Sequence, residues 1–171
     1  MKSILKRYAP ILTAAAMLGA ISGSIAQAEE PFEGGRFSLT GTWNVTVTQM
    51  NCQTKSPLGP PFHSVLTFNA GGTMGGATSN PAFQAGQRTS EFGTWTQTGR
   101  NSYSAFDEAL IAFSGGMFTA GFQTLTHSIT LQSNGNSFID DARVQFYDAN
   151  GTALLPSPGC AVGTATRQPH D

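Results

Sequence analysis

The sequence predicts an all-β protein, an eight-stranded antiparallel up-and-down β-barrel. Three observations point to it. From Gly41 onward, short segments alternate apolar and polar residues with period two, the mark of strands with one buried face. Clusters of Gly, Asn, Asp and Pro separate these segments and supply the backbone conformations of turns. Nothing after Glu29 sustains the 3.6-residue period of a helix.

The chain opens with Lys2, Lys6 and Arg7, an apolar stretch from Ala9 to Ile25, and the small-x-small tripeptide Ala26-Gln27-Ala28. Residues 1–28 therefore read as a secretory signal peptide, and the interruptions at Thr13, Gly19, Ser22, Gly23 and Ser24 argue against a retained membrane anchor. Residues 29–38 form an irregular N-terminal arm with Pro31 and Gly34-Gly35, and residues 39–171 a single β-barrel domain. Strand one, residues 41–51, sets Trp43, Val45 and Val47 against Asn44, Thr46 and Thr48. A Pro-rich turn leads to strand two, residues 62–70, and a Gly-rich strand three, residues 72–79, whose glycines mark a bulge or a barrel corner. A longer connection, residues 80–90, carries Phe83, Gln84, Gln87 and Arg88. Strands four to eight cover residues 91–98, 102–113, 117–132, 137–147 and 160–167, with Gly99-Arg100-Asn101, Gly115-Gly116, Asn134-Gly135-Asn136 and Asp148-Ala149-Asn150-Gly151 as turns. Pairing strand one with strand eight closes the barrel and removes both sheet edges.

The two cysteines, Cys52 and Cys160, end strand one and begin strand eight, so antiparallel closure brings them to one rim. A single disulfide is expected in an exported chain, and closing a loop of roughly 110 residues would stabilise by about 4–5 kcal/mol in the chain-entropy model. The alternative is a pair of buried thiols or one reactive thiol. Without the leader, six basic residues face ten acidic ones, a balance of −4, and Arg36, Lys55, Arg88, Arg100, Arg143 and Arg167 are scattered. Nucleic acid and anionic membranes are thus poor partners.

Ser38-Leu39-Thr40-Gly41-Thr42-Trp43 resembles the opening of two calycin-like barrel families, the Gly-x-Trp of lipocalins and the Leu-Thr-Gly-Thr-Trp of avidins. The stretch from Pro60 to Thr73, with Thr78-Ser79-Asn80-Pro81-Ala82-Phe83 and Gly86-Gln87-Arg88, is similar to a group of uncharacterised secreted bacterial proteins and brings no activity with it. The lipocalin Thr-Asp-Tyr segment and the additional avidin tryptophans are missing. The resemblance implies a lipocalin-like barrel in which Trp43 plugs the closed end. Trp43 and Trp95 are read as structural.

No catalytic residue, metal ligand set or cofactor is assigned. His63, His127 and His170 share no ligand spacing, and a haem held by His127 alone has thin support. Asp148-Ala149-Asn150-Gly151 lacks the later ligands of a calcium loop and is read as a turn. One polar constellation stands out. With a three-residue loop at 114–116, Asp107 would oppose Gln123 and Tyr103 would oppose His127, placing all four on one face. A two-residue loop would disperse them. Apolar residues lie on opposite phases before and after Gly121, implying a bulge near Gly121 or Gln123, and a solvated outer face is the favoured placement. The interior is expected to hold Val45, Val47, Leu66, Phe68, Phe113, Leu125, Ile129, Val144 and Phe146, either filling the barrel or leaving room for one small ligand.

The leading expectation is an exported binding or carrier protein for a small hydrophobic ligand that enters beside loop 80–90 and meets Phe83 and Arg88. The ligand-binding set is then Phe83, Arg88, Tyr103, Asp107, Gln123 and His127. An exported protein-protein interaction or inhibitor module with a filled barrel, using the 29–38 arm, is the alternative. A barrel isomerase or cyclase using Tyr103, Asp107 and His127 comes third.

Overall fold

The computed structural model describes residues 38–169. The expected signal peptide, the expected arm apart from Ser38, and His170 lie outside the described residues. Alternation becomes architecture directly. Eight strands follow one another as β1 (Gly41–Met50), β2 (Phe62–Phe68), β3 (Thr73–Thr78), β4 (Arg88–Gln97), β5 (Ser102–Ile111), β6 (Gly121–Leu131), β7 (Ser137–Asp148) and β8 (Gly159–Arg167). Each pairs antiparallel with its sequence neighbours, and β1 pairs with β8 from Trp43↔Arg167 to Met50↔Cys160, so the barrel is closed. Among the described residues there is no helix. This all-antiparallel closed barrel is consistent with a calycin-like fold.

One end of the barrel is sealed and the other is open to loops. Turns at 69–72, 98–101 and 132–136 join the strands at the sealed end, whereas connections 51–61, 79–87, 112–120 and 149–158 cluster at the opposite mouth. Trp43, Leu39, Phe68, Ile129, Leu131 and Phe138 fill the sealed end and are almost wholly removed from water. Their rings interlock: Trp43 lies 4.8 Å from Phe138, and Phe68 packs edge-on to Phe138 and Trp95. The Trp43 indole N–H donates to the Leu39 carbonyl at 2.9 Å, which satisfies its polar handle inside an apolar layer. Arg167 covers that ring with its guanidinium 4.1 Å from the centroid and donates to the carbonyls of Ser38 and Thr40 at 2.6 Å and of Gly135 at 3.0 Å. Trp95 donates to Asn69 and Thr73 carbonyls and rests against Tyr103.

The Cys52–Cys160 disulfide is present, with Cα atoms 5.3 Å apart, and ties the loop after β1 to β8 at the mouth. At the β7 turn, Asp148 Oδ1 accepts the Asn150 and Thr152 amides at 2.9 and 2.8 Å, and Gly151 takes a φ of 81°.

Several sequence expectations change. The β5–β6 connection spans 112–120 and holds Phe113, which is 39% exposed and not an interior residue. Gly115 and Phe118 bond each other across a tight turn inside that loop, which accounts for the glycine pair without a hairpin between the strands themselves. No bulge interrupts β6, since it pairs without a shift from Gly121 to Thr130 with β5 and from Gly121 to Leu131 with β7. The phase change near Gly121 is the boundary where loop becomes strand, and Phe122 faces outward and stacks on Tyr147 at 4.7 Å. The glycines of β3 mark no bulge either, as its pairings to β2 and β4 run regularly. The bulge lies in β4, between Arg88 and Glu91, where three steps of β4 oppose two steps of β5.

Candidate functional site

The β4 bulge determines the chemistry inside the barrel. On a regular strand, residues three apart point to opposite faces. The extra residue restores the phase, so Arg88 and Glu91 both face inward and pair in an ion pair, their side chains 4% and 3% exposed. The Arg88 Nε–H also donates to Gln123 Oε1 at 2.7 Å. Arg88, expected on a loop, is instead the first residue of β4 and is locked in this network.

Beside it lies a second buried cluster. His127 on β6 points inward between β5 and β7, with Nδ1 2.6 Å from Asp140 Oδ2 and Nε2 2.9 Å from Asp107 Oδ2. Glu91, Asp107, Gln123, His127 and Asp140 are all between 0 and 6% exposed. Burial is the largest influence on the imidazole and works against its charge. The Asp140 charge and the hydrogen bonds to both aspartates overcome that penalty, and the pKa is pushed up to about 10. Burial likewise drives the Glu91 carboxyl above its ordinary value, against the pull of Arg88. Asp107 Oδ1 and Asp140 Oδ1 have no hydrogen-bond partner among the described residues.

Each of the three buried acids sits opposite a glycine. The register pairs Gly76 with Glu91, Gly93 with Asp107, and Gly163 with Asp140. A Cβ at Gly76 would come within 2.6 Å of Glu91 Oε1, one at Gly93 within 2.7 Å of Asp107 Cβ, and one at Gly163 within 3.3 Å of Asp140 Cβ. Gly76 and Gly163 therefore clear room for the Glu91 and Asp140 side chains, Gly93 lets the β5 backbone at Phe106 and Asp107 pass close, and none of the three needs a special backbone conformation to explain it.

Above the polar floor is a cavity of about 180 Å³. Val45, Val47, Leu66, Leu125, Val144 and Phe146 supply much of its wall, while Arg88, Glu91, Gln123, His127 and Asp140 also line it. Val47, Leu125, Val144 and Phe146 point inward yet stay only half-buried, in contrast to the sealed end. Phe83 reaches the cavity from loop 79–87 and stacks on Phe118 of loop 112–120 at 3.9 Å. Gln87 stitches the two loops together by donating to the Phe113 and Gly115 carbonyls at 3.0 and 2.9 Å.

The structure thus gathers Phe83, Arg88, Gln123 and His127 around one cavity. Asp107 stands behind His127 without lining it, and Tyr103 lies lower, beside Trp95 and outside the cavity wall. The four-residue face is real but inward, correcting the expected solvated placement. Its pairing also differs, because Tyr103 opposes Ile129, Ala105 opposes His127 and Asp107 opposes Leu125. The nine-residue loop moves the register by two relative to the three-residue one, and an even shift preserves the face. Sequence reasoning missed Glu91 and Asp140. The available signal was phase: Asp140 shares its face with Phe138, Ala142, Val144 and Phe146, and Glu91 shares one with Trp95. Among the described residues, no group of three or more His, Cys, Asp or Glu is placed to hold a metal ion. The chain matches no protein-family model, and a search among curated proteins gives no match.

Proposed function

We propose that this is an exported, lipocalin-like binding or carrier protein that takes one small, largely apolar ligand into its barrel. The cavity is the observation that carries the reading. An apolar wall over a floor with a few fixed polar groups is the usual make-up of a small-molecule site. Its volume, about 180 Å³, suits a ligand near the size of one aromatic ring, since an apolar cavity of roughly 150 Å³ accommodates benzene. Loops 79–87 and 112–120 stand at its mouth with Phe83 against Phe118, where a ligand would pass. The disulfide is compatible with an oxidising compartment, and the segment 1–28 has the composition of an export signal.

The cavity favours this reading over a filled barrel acting through its surface. The imidazole also offers little to acid–base catalysis, because both ring nitrogens face carboxylate oxygens and neither is open to a substrate. Native mass spectrometry of protein exported by its own host tests the reading. A stoichiometric extra mass that disappears on denaturation is expected. A bare mass, together with no calorimetric response to benzene-sized apolar molecules, would overturn it.

A further inference from the structure

We propose that the ligand is an amine, seated with its ammonium on Asp140 and its apolar body against the upper wall of the cavity. The inference rests on the binding reading above and adds the charge of the ligand to it. It comes from counting protons. Each His127 nitrogen lies within hydrogen-bond distance of a carboxylate oxygen, so each contact needs one proton between nitrogen and oxygen. Two protons shared among one imidazole ring and two carboxylates leave the trio with one net negative charge, wherever the protons sit.

The neighbouring groups do not remove that charge. Arg88 is already engaged by Glu91 and by Gln123, and its further contacts are to the Thr89 carbonyl and to the Phe83 ring, 6.0 Å from the centroid. With Glu91 ionised, the charged interior of the barrel sums to −1 among the described residues. A buried charge without compensation is costly, and a cation delivered by the ligand would compensate it.

Geometry says where the cation goes. Asp107 is shut away behind the imidazole, but Asp140 lines the cavity and is 97% removed from water. Its Oδ1 is a buried acceptor with no hydrogen-bond donor among the described residues. An ammonium supplies both the charge and the N–H, and charge-assisted bonds of this kind are roughly twice as strong as neutral ones. Gly163 opposite Asp140 keeps that side chain uncrowded, because a Cβ there would lie 3.3 Å from the Asp140 Cβ and 3.6 Å from its Oδ2. The wall around Val45, Leu125, Val144 and Phe146 takes the hydrocarbon portion.

Three probes of the same ring size and different head groups decide it: benzylamine, benzyl alcohol and benzoate, titrated calorimetrically into the disulfide-intact protein near neutral pH. Benzylamine is expected to bind at least about tenfold more tightly than benzyl alcohol, with benzoate weakest. Asp140→Asn is expected to erase the preference for the amine. If the alcohol or benzoate binds as well as the amine, the proposal is wrong and the cavity reading stands. If none of the three binds, both fail. The comparison on the unaltered protein decides the matter even if Asp140→Asn does not fold.

Discussion

At the scale of single residues, the molecule depends on buried charges that hold one another. Arg88 satisfies Glu91 and Gln123 at once, so Arg88→Ala would leave a buried carboxylate and a buried amide oxygen without their partner. Breaking such a pair by removing one member costs about 3–5 kcal/mol, and urea unfolding of the variant should show a loss in that range. An unchanged midpoint would mean that the pair is far more hydrated than its burial indicates. His127 gives a pH test with a definite sign. Its folded pKa of about 10 exceeds the unfolded value near 6.5, so the folded state binds the extra proton across that window. The stabilisation is fully present below about pH 6.5 and is lost as pH rises through about 10. Glu91, also raised, pushes in the same direction at lower pH. Melting temperature should therefore fall on going from about pH 6 to about pH 10.5, and a rise over that interval would contradict a shared proton in the Asp107–His127–Asp140 trio. Gly93→Ala places a Cβ 2.6 Å from the Asp107 Cα, against backbone that cannot yield, and should leave little folded protein on expression.

At the scale of elements, the mouth and its fastenings come apart experimentally. The disulfide joins residues 108 apart in sequence. Replacing both cysteines by Ser should lower stability by up to about 4–5 kcal/mol, because the unfolded chain regains the freedom that the link removed. Phe83→Ala is different in kind. The ring is half-buried on a loop, touching Phe118 and the cavity but not the sealed core, so the change should weaken retention of a bound ligand while melting temperature shifts little. A large drop in melting temperature with unaltered binding would show that loop 79–87 is structural. Individual strands also explain what the sequence conveyed. β1 is legible because it sets apolar and polar residues on opposite phases. β5 is not, since Phe106 and Leu110 face solvent while Asp107 faces the core, and β4 adds Phe92 at 72% exposure together with a bulge. A bulge changes which side chains share a face and has no reliable sequence mark, so Arg88 and Glu91 cannot be placed together by counting.

At the scale of the whole molecule, closure was legible from strand number, turn spacing and the two cysteines, while the cavity was not. Whether a barrel is filled depends on how inward side chains sum in volume across strands distant in sequence, and that sum needs the register of every pair. The charged floor shows the same dependence: its five side chains come from four strands, β4 to β7, and alternation alone groups only two of them, Asp107 and His127. Arg167, which clasps Ser38 and Thr40 while covering Trp43, has a practical consequence of a different sort. It gathers the beginning and the end of the barrel at its base, on the side away from the mouth. A protein anchored to a surface through a tag after β8 would therefore stand with its opening toward solution, and a sensor built on it would need no linker routed around the rim.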